Sequence, residues 1–102
     1  MTHIIAADIG GTNARFARAK LDARNVPTLG KVRKYKVADF PSLQACWAAF
    51  AHDEGGDLPK AASIAFATAI GRDVIKLTNS SWMIRPDTLD EELGLDQMRL
   101  VN

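Results

Sequence analysis

The chain has 102 residues, 47% hydrophobic and 25% charged, a composition that folds into one globular unit and excludes a disordered or fibrous chain. Lys and Arg number 13 against 12 Asp and Glu, leaving a net charge of +1, which offers no bulk attraction to nucleic acid or to an acidic surface. The single cysteine excludes an internal disulfide, no apolar run approaches the roughly 20 residues that span a bilayer, and the start Met1-Thr2-His3-Ile4 lacks a signal peptide's basic and long apolar stretch; a cytoplasmic protein with no membrane partner is expected.

Ile4-Ile5-Ala6-Ala7 is a short apolar run closed by Asp8 and the pair Gly10-Gly11, which predicts a buried strand ending in a tight turn. Ala14 to Lys20 returns as a second strand, so the two form a hairpin. Asp22 to Gly30, with Asn25, Pro27 and Gly30, reads as a turn. Val32 to Val37 is a third strand with Tyr35 and Val37 on one face and Lys34 and Lys36 on the other. Asp39 and Pro41 then start a helix whose Leu43, Cys46, Trp47 and Phe50 fall at helical spacing, and Gly55-Gly56 stops it.

Ala61 to Ala67 is almost wholly apolar, as expected of a central strand covered on both faces. Gly71 allows a turn, with Asp73 beside it, and Val74 to Leu77 can form a further short strand. Pro86 opens a second helix with Asp87, Asp90 and Glu91 at its positive end, Leu89 and Leu93 as its stripe and Gly94 as its cap. Met98 to Asn102 begins one more strand. The order β-β-β-α-β-(β)-α-β predicts an α/β fold, a mixed sheet with flanking helices.

The segment Asp8-Ile9-Gly10-Gly11-Thr12-Asn13 carries the chemistry. Two glycines let backbone N–H groups approach an anion with no Cβ in the way, and Thr12 and Asn13 add side-chain donors. Asp8 repels phosphate, so its natural task is to hold Mg²⁺ beside it. A plain hairpin turn uses a Gly-Gly pair too. It is the acidic residue two positions earlier and the Thr-Asn directly after that favour phosphate. The segment is neither a P-loop nor a Rossmann fingerprint, since it has no Gly-Lys-Ser/Thr and no following helix.

Asp8-Ile9-Gly10-Gly11-Thr12-Asn13-Ala14-Arg15 closely resembles the first phosphate loop of bacterial glucokinases. Lys76-Leu77-Thr78-Asn79-Ser80-Ser81-Trp82 is similar to that family's Leu-Thr-Asn-x-x-Trp segment. Arg99-Leu100-Val101-Asn102 is similar to the strand leading into its Asn-Asp-Phe. The resemblance covers essentially the whole chain. It implies that residues 1–102 are the N-terminal small lobe of a two-lobed sugar kinase, RNase H-like and of the actin/hexokinase-type ATPase fold.

The implied reaction moves the γ-phosphoryl of ATP, with Mg²⁺, to the 6-hydroxyl of glucose, the first step of glycolysis. Asp8, Gly10, Gly11, Thr12 and Asn13 are then the nucleotide and metal side, and Asn102 the residue that hydrogen-bonds sugar hydroxyls. The family's base follows that Asn and lies beyond this chain, so the 102 residues alone are expected to be inactive. One departure stands out: Ala67-Thr68-Ala69-Ile70-Gly71-Arg72-Asp73 replaces the family's common Gly-Pro before a Gly-Asp turn.

Other residues carry two readings each. Asn79 shapes a sugar cleft or is ordinary turn chemistry, and Trp82 is a packing anchor or a sugar platform. Cys46 reads as a small buried hydrophobe rather than a nucleophile, and Lys31 to Lys36 as the solvated face of an edge strand rather than a binding patch. His3 and His52 lack a metal-ligand pattern. The competing functions are a stand-alone phosphate-binding or interaction module, and an RNase H-type nuclease, which needs clustered carboxylates where only Asp8 stands at a strand end. A lobe without its partner exposes surface meant for the interdomain contact, so the fragment is expected to dimerise or aggregate more readily than the full-length enzyme, and a homodimer is expected.

Overall fold

The structure is a computed structural model and describes residues 2–68, 74–77 and 80–101. Strand β1 (Thr2–Ile9) pairs antiparallel with β2 (Asn13–Leu21) from Thr2↔Leu21 to Ile9↔Ala14. Two short strands share the outer edge of β2: β3 (Pro27–Leu29) beside Ala19–Leu21 and β4 (Arg33–Lys36) beside Asn13–Phe16. On its other side β1 pairs parallel with β5 (Ala61–Phe66), which pairs parallel with β8 (Gln97–Val101). The result is the mixed sheet expected, in the order β3-β2-β1-β5-β8 with β4 also on β2.

The pleat sends alternate side chains to opposite faces. Ile5, Ala7 and Ile9 of β1, Ala14 and Phe16 of β2, and Ala62, Ile64 and Phe66 of β5 are buried on one face. Helix α1 (Leu43–Asp53) packs there through Leu43, Cys46, Trp47 and Phe50. Phe16 is its socket, stacked on Phe50 at 5.1 Å and edge-to-face with Trp47 at 5.7 Å. Burying such a ring contributes about 1.5–3 kcal/mol, and each ring pair about 0.5–1.5 kcal/mol more. Ser42 caps α1, its hydroxyl accepting from the Ala45 N–H at 3.1 Å. Gly55 and Gly56, at φ +95° and +94°, end it in a conformation that side chains resist.

Helix α2 (Leu89–Leu93) joins the same face through Leu89 and is closed by left-handed Gly94. It starts later than Pro86 suggests, because Pro86 to Thr88 form a turn with Thr88 as N-cap. Both helices thus lie on one side, and β5 is not covered on both faces: Ala62, Ile64 and Phe66 are buried while Ala61, Ser63 and Ala65 are half-buried. Within the stretch read as a turn, β3 forms where Asp22 accepts from the Arg24 and Val26 N–H groups and Asn25 adopts φ 60°. This Asx turn directs Pro27–Leu29 back onto β2.

The strand expected at Val74 to Leu77 is β6 (Ile75–Lys76), and its partner β7 (Met83–Ile84) was not anticipated. Their Ile75 and Ile84, with Leu77 and Trp82, complete the core. Gly71 and Asp73 lie outside the described residues. Among the described residues no helix is long and apolar enough to cross a membrane.

Candidate functional site

Three residues, Gly10 to Thr12, connect β1 to β2. The Gly10 N–H donates to the Asn13 carbonyl at 2.9 Å, closing the hairpin, and the Val37 N–H donates to the Thr12 carbonyl at 2.9 Å. Gly11 and Thr12 give their own N–H groups to no acceptor among the described residues. A Cβ built on Gly10 would meet the Asn13 carbonyl oxygen at 3.4 Å, an ordinary contact. The fold therefore leaves room for a Cβ at Gly10.

Asp8 is exposed on the face opposite the helices, next to Ala65 of β5 on one side and Arg15 of β2 on the other. Asp8, Arg15 and Lys34 are register partners across three strands, and Asn13 partners Lys36 one pleat nearer the turn. All five side chains share that face. Among the described residues the Asp8 side chain makes no ion pair or hydrogen bond, so its carboxylate is available to a cation. A lone carboxylate suits Mg²⁺, which keeps several waters and takes the rest of its shell from phosphate oxygens.

β1 and β8 are not neighbours: β5 lies between them, but all three run parallel, so their carboxyl ends share one edge of the sheet. Val101 stands beside Ala65 and Ala65 beside Asp8. Two strand spacings put Val101 about 10 Å from Asp8 along the edge. The carboxyl edge of parallel strands is where α/β folds bind ligands. Asn102 and Asn79 both lie outside the described residues.

Trp82 is buried, 2% exposed, and its indole N–H donates to the Phe40 carbonyl at 2.8 Å. It is a packing anchor. Cys46 is wholly buried, and burial pushes its thiol up to about 12, so it is no nucleophile.

Sequence reasoning did not find the clamp at the far end of α1. Glu54 accepts from Arg18 Nε at 2.7 Å and from Arg33 Nε at 2.6 Å. Arg18 also reaches the Asp57 carbonyl, and Arg33 the Asp53 carbonyl at 3.0 Å. The Arg33 guanidinium bonded to it, helped by Arg18, holds the Glu54 carboxyl below its usual range. Tyr35 donates its hydroxyl to Asp53 at 2.7 Å; burial first and that bond second raise its pKa. Both arginines sit in the basic run or the second strand, but their partner lies 36 and 21 residues away. No local signal joins them.

The sequence model described as glucokinase matches residues 5–102. A glucokinase of Zymomonas mobilis is 44% identical over 99 residues, 97% of this chain and 31% of that protein. The crystal structure of a glucokinase from an Antarctic psychrotroph superposes with a TM-score of 0.88 at 31% identity, covering 100% of this chain and 32% of the other. A ROK-family glucokinase from Streptomyces griseus, solved in complex with glucose and AMPPNP, shares the fold with a TM-score of 0.58 at 22% identity, covering 98% of this chain and 32% of that one. The chain thus spans about a third of the length of the relatives it matches, and its α/β architecture is that of the actin-like sugar-kinase fold. With a family match that takes in nearly every residue and a hairpin turn placed on the carboxyl edge of the sheet, the chain belongs to the glucokinase family.

Proposed function

We propose that the protein of which this chain forms the N-terminal small lobe is an ATP-dependent glucokinase, moving the γ-phosphoryl of ATP to the 6-hydroxyl of glucose in the cytoplasm. The observation that supports this most is the pair of N–H groups at Gly11 and Thr12 that meet no acceptor among the described residues, set beside the Asp8 carboxylate, likewise without a partner among them, at a strand end. Phosphoryl transfer asks little covalent chemistry of a protein; it asks for aligned phosphates and neutralised charge. Gly10 and Gly11 leave room for the phosphate chain, the N–H groups of Gly11 and Thr12 donate to its oxygens, and the Thr12 hydroxyl and Asn13 amide add donors beside them. Asp8 would hold Mg²⁺, directly or through water. That ion, when bound, draws off charge developing on the phosphate oxygens.

Sugar binding is assigned to Asn102, at the exit of β8 on the same edge as Asp8, with Asn79 as a second contact. The whole protein is further proposed to be a homodimer. The test is a coupled assay of the full-length protein with glucose and MgATP, alongside Asp8→Asn. Turnover that falls about 10–100-fold in the variant supports the reading. Full-length protein that phosphorylates no glucose, or an Asp8→Asn variant with unchanged turnover, overturns it.

A further inference from the structure

The pleat sorts Arg15, Arg18, Arg33, Lys34 and Lys36 of β2 and β4 onto two faces. Arg18 and Arg33 turn to the helix side, where both are committed to Glu54. Arg15, Lys34 and Lys36 stand exposed on the opposite face, and their side chains make no ion pair or hydrogen bond among the described residues. Arg15 and Lys34 are direct register partners, and like charges placed opposite one another cost a sheet stability. Lys36 faces Asn13, the first residue after the glycine turn, and cross-strand partners bring their Cβ atoms to about 4.5–5.5 Å. A four-carbon stem starting there is long enough to reach the turn. Three cations without an ion pair among the described residues, set against the Asp8 carboxylate on that face, leave net positive charge beside the turn's N–H groups, an arrangement that stabilises a multiply charged anion.

We propose that Lys36, with Lys34 behind it on β4, is a cationic flank of the polyphosphate site, its ammonium taking non-bridging oxygens of the nucleotide's phosphate chain beside the turn. This rests on the phosphate reading of Gly10 to Asn13. It gives the basic run a binding role beyond that of a solvated edge.

The experiment measures, in the full-length protein, the KM for MgATP and the inhibition constant of inorganic tripolyphosphate competing with it. Lys36→Gln raises both by about threefold to tenfold, the size of one partly screened charge pair. Lys36→Arg restores them, and Lys34→Gln adds a smaller rise. The KM for glucose stays within about twofold, which reports that the variants are folded. Gly11→Ala is measured beside them. If it weakens both anions while the Lys34→Gln/Lys36→Gln double variant changes neither, the flank is overturned and the turn keeps its role. If neither variant moves either constant, the phosphate reading of the turn fails as well, and the flank with it.

Discussion

The backbone N–H of Val37 donates to the Thr12 carbonyl at 2.9 Å, fastening the last residue of the glycine turn to the strand that carries Lys34 and Lys36. Val37 itself is 2% exposed and belongs to the core. The turn is therefore held from both sides, by Gly10 to Asn13 within the hairpin and by Val37 from outside it. Such bracing would present the N–H groups of Gly11 and Thr12 to the anion proposed for the turn without further loss of order. Amide exchange followed by NMR tests this bracing. The Val37 amide is expected to exchange at least about tenfold more slowly than those of Gly11 and Thr12, because it opens only with the β2–β4 ladder. Equal rates at Val37 and Thr12 would show that the brace does not persist in solution.

Gly10→Ala separates folding from binding. The added methyl group meets only the Asn13 carbonyl oxygen, at 3.4 Å, so the melting temperature should move by less than the roughly 4–8 °C that 1 kcal/mol is worth in a domain this size. The same methyl occupies the space by which phosphate would approach the turn. Loss of charge-assisted backbone bonds costs about 1.5–3 kcal/mol, so the full-length variant should bind MgATP at least about tenfold more weakly. A variant that melts far lower while binding nucleotide normally would assign the glycine to folding alone.

What the sequence disclosed and what it hid divide along local and distant interactions. Leu43, Cys46, Trp47 and Phe50 mark α1 because one helix supplies its own period, and all four are buried. Asp8 to Asn13 could be read as a site because its parts are contiguous. Pro27–Leu29 has no apolar stripe, and it becomes a strand only because Ala19–Leu21 offers it a ladder. The opposition of Lys36 to Asn13 depends on the register between strands separated by a turn, which no spacing rule supplies. The intervening place of β5 between β1 and β8 is likewise a property of the sheet order.

Glu54 gives the chain a defined acid sensitivity. Its carboxyl is held below the ordinary range by Arg33 and Arg18, so the clamp's contribution is complete above the unfolded value of about 4.3 and fades as pH falls through the lower, folded value. Its side chain is 13% exposed and those of Arg18 and Arg33 are 38% and 27% exposed, so solvent screens the network. Glu54→Gln should therefore cost only about 1 kcal/mol at pH 7. Thermal melts of both proteins should differ by a constant amount from pH 7 down to about 4.5 and converge below it. A gap that persists unchanged to pH 3 would mean that shape and neutral hydrogen bonding, not charge, hold the end of α1.

Trp82 and Trp47 offer a matched pair, since both are buried, 2% and 6% exposed, and among the described residues only Trp82 has a partner for its indole N–H. The Trp82 N–H satisfies the Phe40 carbonyl at 2.8 Å, and Phe40 in turn packs edge-to-face on Tyr35 at 5.9 Å. Trp82→Phe removes ring volume and also leaves that carbonyl without its donor, an added cost of about 1–3 kcal/mol. Trp47→Phe removes the same ring volume and no hydrogen bond among the described residues. Denaturant titration of the two variants should place Trp82→Phe lower in stability by roughly that difference, with equal slopes because the surface exposed on unfolding is the same. Equal midpoints, or Trp47→Phe the weaker of the two, would show that Trp82 contributes by volume alone and that the loop it anchors is fastened elsewhere.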